Sequence, residues 1–175
     1  MKVKDIMTCE AKVCDLNASL AEAAKTMWET DCGVLPVLKD GKEIVGLITD
    51  RDICMAVAMR DCSPAAISAE QVISGAVYSV TPEDDIHEAL EIMRDHKVRR
   101  LPVVGAAGDL KGMLSMNDIV LKAQETKDKR APELAYADVV NTYKTICAHP
   151  FELQQARAAG AGVQGPARKR KIPKG

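Results

Sequence analysis

Two Ser/Thr–Asp pairs have the residue types and the spacing of a small polar binding site. Thr49 precedes Asp52 by three positions, and Ser115 precedes Asp118 by three positions, 66 residues later. In both places an apolar run ends and a helical pattern begins, so each pair is predicted at a helix N-terminus. The free N–H groups and the positive dipole end there suit a phosphate, and a carboxylate one turn away can accept hydrogen bonds from ribose hydroxyls. The pairs therefore favour two related sites for a phosphorylated nucleoside.

The same spacing has a purely structural alternative. A Ser or Thr followed three residues later by Asp or Glu is also a capping box, in which the hydroxyl and the carboxylate satisfy free amides at the start of a helix. Both interpretations use the same geometry, so the residues alone leave both open.

Both pairs belong to an internal repeat with a fixed offset of 66 residues. Residues 35–37 (LPV) recur as residues 101–103, and residues 46–53 (GLITDRDI) recur as residues 112–119 (GMLSMNDI). A repeat without gaps indicates a duplicated structural unit. We therefore expect two related sites that face each other across a pseudo-twofold axis.

Each copy has the pattern of a strand, a helix, two strands and a final helix. The first helix is predicted to begin near Ser19, and its counterpart at Thr81-Pro82. Two short apolar runs joined by a Gly-bearing turn follow each helix and indicate a hairpin. The final helices are predicted from residue 50 to about 60 and from residue 116 to about 126.

The expected fold is α/β (α+β), with two βαββα units at residues 2–62 and 67–126. Aromatic residues make up only 3% of the chain, so the core is expected to be aliphatic and rich in Met. Trp28, the one large ring, continues the apolar stripe of the first helix and is expected to pack there.

Two segments lie outside the repeat. An amphipathic stripe predicts one further helix within residues 131–148, docked on the same chain or on a second subunit. Residues 149–175 are rich in Gly, Ala, Gln, Pro and basic residues and are expected to be a disordered tail. Five basic residues and no acid lie among the last eight, so this tail could contact nucleic acid, an anionic membrane or an acidic partner.

Composition limits the class of protein. No run of about 18 apolar residues is present, so no segment is expected to cross a membrane. The N-terminus lacks the apolar stretch of a signal peptide, which favours a cytoplasmic location. The six cysteines form no CxxC pair, so we expect reduced thiols and no metal site. No arrangement of nucleophile and base indicates an enzyme.

The LPV and GLITDRDI/GMLSMNDI motifs, set in a βαββα repeat, resemble a tandem pair of cystathionine-β-synthase (CBS) domains, also called a Bateman module. The resemblance covers residues 2 to 125. It implies two intertwined units, a flat, disc-like dimer, and clefts for adenosine-bearing ligands such as AMP, ADP, ATP, S-adenosylmethionine or NADH. It also implies that Asp52 and Asp118 hold ribose hydroxyls, with Thr49 and Ser115 as their hydroxyl partners.

The resemblance also implies a role for Arg99 and Arg100, because the family often has basic residues before its LPV motif that reach ligand phosphates. Guanidinium groups bind phosphate oxygens through paired hydrogen bonds. The first copy has Gly33-Val34 at the same two positions. We therefore expect unequal sites, the second better supplied with phosphate ligands.

The resulting prediction is a non-catalytic regulatory module that forms a homodimer and has no obligatory cofactor. It binds an adenosine-containing small molecule (AMP, ADP or ATP) and signals to a regulated protein through rearrangement of the dimer. Two alternatives remain open. One is a dimeric scaffold that binds nucleic acid through the basic tail, which the acidic remainder of the chain disfavours. The other is a cysteine-based redox or metal sensor.

Overall fold

The protein is described by a computed structural model that covers residues 1–73, 76–125 and 132–148. Within these residues the chain forms six strands and five α-helices. The strands are β1 (Thr8–Cys9), β2 (Cys14–Asp15), β3 (Val34–Lys39), β4 (Glu43–Thr49), β5 (Arg100–Val104) and β6 (Leu110–Ser115). The helices are α1 (Leu20–Glu29), α2 (Asp50–Arg60), α3 (Ile86–His96), α4 (Met116–Lys122) and α5 (Tyr136–Cys147). This mixture of helices and sheets, repeated in two copies, confirms the predicted fold class.

The chain divides into two compact units. The first-repeat unit contains the described residues of Cys9–Val77 together with Val104–Gly112. The second-repeat unit contains Met1–Thr8, Tyr78–Val103 and the described residues from Met113 to Ala148. Each unit has its own hydrophobic core.

In the first-repeat unit a three-stranded sheet has the order β2-β3-β4. Strand β2 runs parallel to β3, and β3 and β4 form an antiparallel hairpin in which Val34 lies opposite Thr49. Alternate residues of β4 are buried, as expected for a strand with one face on the core. Leu20 of α1 and Ile48 of β4 are fully buried in this core.

Helix α1 begins after Ser19, as the sequence pattern predicts. The Glu22 amide donates to Ser19 Oγ over 3.2 Å, and the Ser19 amide donates to Glu22 Oε2 over 2.8 Å. The bond from the Ser19 amide, and after it a bond that the Ser19 hydroxyl donates to the same oxygen, hold the pKa of the Glu22 carboxyl below its usual value.

The expectation for Trp28 is wrong, because its side chain is 88% exposed. The buried stripe of α1 consists of Leu20, Ala23 and Met27. Trp28 lies eight residues after Leu20, which places it about 80° further round the helix. It therefore extends from the edge of the core-facing stripe into solvent.

In the second-repeat unit the sheet order is β1-β6-β5, and Val80 forms a parallel bridge with Val103. The N-terminal residues complete this unit, with Val3 fully buried and its amide bonded to the Asp84 carbonyl. Strand β1 has only two residues, too few for an alternating pattern, and the sequence did not predict it.

Helix α3 begins at Ile86, not at Thr81-Pro82. Asp85 caps the helix by accepting a hydrogen bond from the His87 amide. The Thr81 amide and hydroxyl instead bond to the Asp84 carboxylate, at 2.8 and 2.7 Å. Asp85 also bridges Lys2 in an antiparallel pair, so the chain is extended up to that residue.

Helix α4 ends at Lys122, short of the predicted end near residue 126. The Gln124 amide donates to the Leu134 carbonyl, and the Tyr136 amide donates to the Gln124 carbonyl. These bonds hold Gln124 in a parallel bridge with Ala135. The chain must leave the helix before this bridge can form.

Helix α5 packs on α3 and α4 of the second-repeat unit. Val139 of α5 and Leu134 before it are buried in the core of that unit. Tyr136 and Val140 are about half exposed, at 55% and 50%, so the apolar face that packs is narrower than predicted. No helix in the described ranges is both long enough and apolar enough to cross a bilayer. The predicted disordered tail, 149–175, lies outside those ranges.

Replacing Gly46 with Ala should destabilise the first-repeat unit. A Cβ at Gly46 would lie 2.9 Å from both Cβ and Cδ1 of Ile73, and overpacking of this kind costs about 1–3 kcal/mol. Urea unfolding should show a lower midpoint for Gly46→Ala. If the clash is the cause, Gly46→Ala combined with Ile73→Gly, which removes both contacted atoms, should lose less stability than the sum of the two single variants. Additive losses would contradict it.

Replacing Thr142 with Val should stabilise the second-repeat unit. Thr142 is fully buried, and its hydroxyl has no hydrogen-bond partner among the residues that the structure describes. Valine has a similar shape and removes the unsatisfied oxygen, so a gain of about 1 kcal/mol is expected in chemical unfolding. Thr142→Ser is the matched control, because it keeps the hydroxyl and loses the methyl group. A less stable Thr142→Val would refute this account.

Candidate functional site

The first Ser/Thr–Asp pair lies where β4 ends and α2 begins. Asp52 Oδ2 accepts hydrogen bonds from the Thr49 amide at 2.9 Å and from the Thr49 hydroxyl at 2.7 Å. The Asp52 amide in turn donates to Thr49 Oγ1 over 3.2 Å. The structure therefore forms the capping box that the sequence offered as one of two interpretations.

The second pair repeats this geometry where β6 ends and α4 begins. Asp118 Oδ2 accepts from the Ser115 amide at 2.8 Å and from the Ser115 hydroxyl at 2.6 Å, and the Asp118 amide donates to Ser115 Oγ over 3.3 Å. All four side chains of the two pairs are half-buried. Both copies thus present a partly accessible carboxylate on the first turn of a helix.

The capping box uses only one oxygen of each carboxylate. Among the described residues, Asp52 Oδ1 accepts no hydrogen bond, and Asp118 Oδ1 accepts only a long one, 3.4 Å, from the hydroxyl of Thr8. An ionised carboxylate has about four acceptor positions, so the capping bonds leave room for a pair of ligand hydroxyls. A structural cap and a binding site are therefore compatible at the same residue.

In each copy, a backbone hydrogen bond joins the motif to the residue just before the first strand of the hairpin. The Met116 amide donates to the Arg99 carbonyl over 2.9 Å, and the Asp50 amide donates to the Gly33 carbonyl over 3.4 Å. Arg99 and Gly33 occupy equivalent positions in the repeat. The structure therefore brings the backbone of Arg99 to the start of α4, beside the Ser115–Asp118 pair.

The side chains at these positions differ between the copies. Arg99 is exposed and Arg100 is half-buried, and neither guanidinium forms an ion pair within the described residues. At the matching position of the first copy, Gly33 provides no side chain. The second motif thus has two uncommitted cations in the adjoining segment.

A cleft of about 320 Å³ lies beside the first motif, within the first-repeat unit. We call it the α1–α2 cleft, after the two helices that supply most of its lining. Its lining residues are Ala24, Met27, Trp28, Asp31, Cys32, Gly33, Asp50 and Ile53. The sequence patterns did not predict this cleft. The available signal was the position of Trp28, at the edge of the core-facing stripe of α1.

Thr8 was also missed as a neighbour of the second motif. It lies on the short strand β1 and reaches Asp118 from 110 positions away along the chain. Only the tertiary fold reveals such a contact. In the first copy, the side chain of Ile73 occupies the space beside Gly46.

The cysteines give no indication of a linked cluster. All six are free thiols, and burial raises the pKa of the Cys14 thiol, with smaller contributions from Asp15 and Glu22. Cys9, Cys54, Cys62 and Cys147 are exposed. No three His, Cys, Asp or Glu side chains in the described part of the chain are grouped closely enough to hold a metal ion.

Comparison with solved structures gives the fold directly. The chain matches the structure of Hypoxic Response Protein I with two coordinated zinc ions at a TM-score of 0.64 and 30% identity, covering 71% of this chain and 100% of that one. It also matches the CBS domain pair of protein MJ0100, in complex with 5′-methylthioadenosine and S-adenosylmethionine, at a TM-score of 0.63 and 24% identity. That match covers 69% of this chain and 98% of the other.

Comparison of sequences agrees. Hypoxic response protein 1 of Mycobacterium tuberculosis is 31% identical over 144 residues, which cover 82% of this chain and 92% of the relative. An uncharacterised 17.7 kDa protein of Acidianus ambivalens is 36% identical over 118 residues, 67% of this chain and 70% of that protein. The family model of the CBS domain matches residues 3–59 and again residues 69–125. The chain therefore belongs to the CBS domain family and contains two CBS domains in tandem.

Proposed function

We propose that this protein is a regulatory module that binds an adenosine-containing ligand at its Ser/Thr–Asp motifs and performs no chemistry on it. The observation that carries the proposal is the Oδ1 atom of a half-buried aspartate on the first turn of a helix, which the capping box leaves unused in both copies. Such a carboxylate can accept hydrogen bonds from the two hydroxyls of a ribose. The ligands of the similar MJ0100 pair both contain adenosine, which supports this choice.

Within this proposal, the second copy is the site for AMP, ADP or ATP. Its cations, Arg99 and Arg100, have no ion-pair partners among the described residues, so they are available for phosphate oxygens. The first copy offers instead Gly33 and the exposed carboxylates of Asp31 and Asp50. A phosphate there would face negative charge, so the first copy suits a ligand without phosphate.

In this proposal, the bound ligand shifts a homodimer between two arrangements. A partner protein recognises one of these arrangements. A ligand can move such an equilibrium only by binding one arrangement more tightly than the other. Sedimentation of the protein with and without nucleotide tests whether the dimer exists and whether the ligand changes its shape.

The ligand proposal predicts thermal stabilisation by a nucleotide that depends on the second motif. At about 100 times its dissociation constant a ligand adds about 2.7 kcal/mol of stability. AMP, ADP and ATP should each be compared with adenosine and S-adenosylmethionine by thermal unfolding. Asp118→Asn should remove most of the nucleotide shift, because the amide keeps an oxygen for the cap while losing the charge. Asp52→Asn is the matched control in the other copy and should retain it.

The proposed role of the arginines predicts a different pattern of effects on the individual ligands. Arg99→Gln together with Arg100→Gln should weaken AMP, ADP and ATP by about tenfold or more, since bonds between charged groups are the strong ones. Adenosine should be affected little, because it has no phosphate. Equal weakening of adenosine and nucleotides would show that these residues act on the fold instead. No shift with any compound would leave both motifs as helix caps only.

A metal-binding alternative has one comparison behind it, the two zinc ions of the similar Hypoxic Response Protein I structure. Elemental analysis of protein purified without chelators tests it. If the protein holds stoichiometric zinc, and if Asp118→Asn removes both the zinc and the nucleotide binding, a metal site would replace the proposed nucleotide site. The nucleic-acid alternative depends on residues 168–174, outside the described ranges, and predicts binding that falls steeply with salt.

A further inference from the structure

Helix α5 ends beside the proposed nucleotide site. Lys97 Nζ donates to the carbonyl of Ala148, the residue after α5, over 2.6 Å. Lys97 and Arg99 are two positions apart, so their Cα atoms are at most about 7 Å apart. The Arg99 carbonyl in turn accepts from the Met116 amide, at the start of α4, over 2.9 Å. The end of α5 is therefore held at the same edge of the second-repeat unit as Arg99 and the second motif.

Both ends of α5 are fixed within the second-repeat unit. Leu134, just before the helix, is 1% exposed, and its carbonyl accepts from the Gln124 amide over 2.9 Å. Val139 is buried in the same core, and the bond from Lys97 holds the other end. The residues that follow Ala148 therefore start from a fixed place near Arg99.

These following residues include the densest group of positive charges in the sequence. Five basic residues and no acid lie among the last eight, and we call the five the basic cluster: Arg168, Lys169, Arg170, Lys171 and Lys174. Arg168 lies 20 positions after Ala148. A chain of this length spans up to about 70 Å when extended, and the ends of a random coil of this length are about 25 Å apart. The basic cluster can therefore reach the second motif.

The number of phosphates in the ligand decides how much positive charge the site needs. Arg99 and Arg100 supply two positive charges, and they have no ion-pair partner within the described ranges. The neighbouring cations Arg94 and Lys97 have partners elsewhere, Glu91 and the end of α5. Each further phosphate of ADP and ATP adds negative charge that the two arginines leave without a counter-charge. Additional cations near this edge would favour the longer phosphate chains.

We propose that the basic cluster binds the outer phosphates of a nucleotide held at the second motif, which makes the site selective for nucleoside di- and triphosphates over AMP. This inference rests on the nucleotide site proposed above and assigns its ligand class. Because the cluster and the site belong to one chain, their contact is intramolecular and has an effective concentration of about millimolar. Arg and Lys side chains form charge-assisted hydrogen bonds with phosphate oxygens.

The first test varies the number of phosphates and the charge of the cluster in the full chain. A cluster variant carries Arg168→Gln, Lys169→Gln, Arg170→Gln, Lys171→Gln and Lys174→Gln. Calorimetry at physiological salt, without divalent metal ions that would neutralise the same phosphates, gives the dissociation constants. The cluster variant should bind ATP about tenfold more weakly, as expected when a few exposed ion pairs are lost. ADP should lose less, and AMP and adenosine should be unaffected.

A second variant separates direct contact from overall charge. It replaces five exposed lysines of the first-repeat unit with Gln and so lowers the net charge by the same amount: Lys12, Lys25, Lys39, Lys42 and Lys111. Salt screens distant exposed charges, so this control should weaken ATP by about twofold at most. An equal loss in the two variants, or an equal loss for AMP and ATP in the cluster variant, would overturn the proposal.

Protection from trypsin tests the contact directly. Trypsin cleaves after Lys and Arg, so the basic cluster is a substrate for it. ATP should slow this cleavage in the full chain, AMP should not, and Asp118→Asn should abolish the protection. Protection that persists in Asp118→Asn would show that ATP binds the cluster away from the motif, and the proposal would be wrong.

The two proposals about the second motif fail in different ways. If AMP and ATP both bind there with equal affinity and the cluster variant changes neither, the role of the basic cluster is overturned and the nucleotide site stands. If the full chain binds no nucleotide, the nucleotide site is overturned together with the role of the cluster.

Discussion

The reciprocal bonding of a hydroxyl residue with an aspartate three positions later is the interaction on which the rest of the structure depends. It occurs at Thr49–Asp52 and again at Ser115–Asp118, with nearly equal distances. In each copy it determines where the strand ends and the helix begins. The backbone bond from the first helical residue to Gly33 or Arg99 then fixes the start of the preceding strand against the same point. One local arrangement therefore joins strand, helix and candidate site, and it does so with one oxygen of the carboxylate, leaving the other for a ligand.

The two copies keep this arrangement while their surroundings have diverged. Ala24 in the first copy corresponds to Leu90 in the second, and the smaller side chain leaves space that the larger one fills. Gly33 corresponds to Arg99, and Asp31 to Lys97. The apolar core tolerates little change, because a packed interior responds to even a single methylene, whereas charges on the rim can reverse at small cost. Differences between the copies therefore concentrate where a ligand or a partner would make contact.

Local patterns predicted local structure well. Ser19 and Glu22 placed the start of α1, and the Gly-bearing turns placed both hairpins, because caps and turns depend on residues close in sequence. The errors came from contacts between distant residues. Helix α3 begins at Ile86 because Asp85 pairs with Lys2, and α4 ends early because Gln124 pairs with Ala135. The candidate site was limited in the same way. The motif residues were visible in the sequence, but the free Oδ1 atom of Asp52, the proximity of Thr8 to Asp118 and the α1–α2 cleft exist only in the folded chain.

Electrostatics gives the two motifs different ligand preferences even though their capping geometry is the same. In the second copy an aspartate suited to ribose hydroxyls lies near two arginines suited to phosphate, and a nucleotide carries these two groups next to each other. In the first copy the cleft beside the motif is lined by Asp31 and Asp50, both exposed and both without an ion-pair partner among the described residues. Water screens exposed charges, but a like charge nearby still disfavours a phosphate group. The first motif should therefore favour neutral or cationic adenosine compounds.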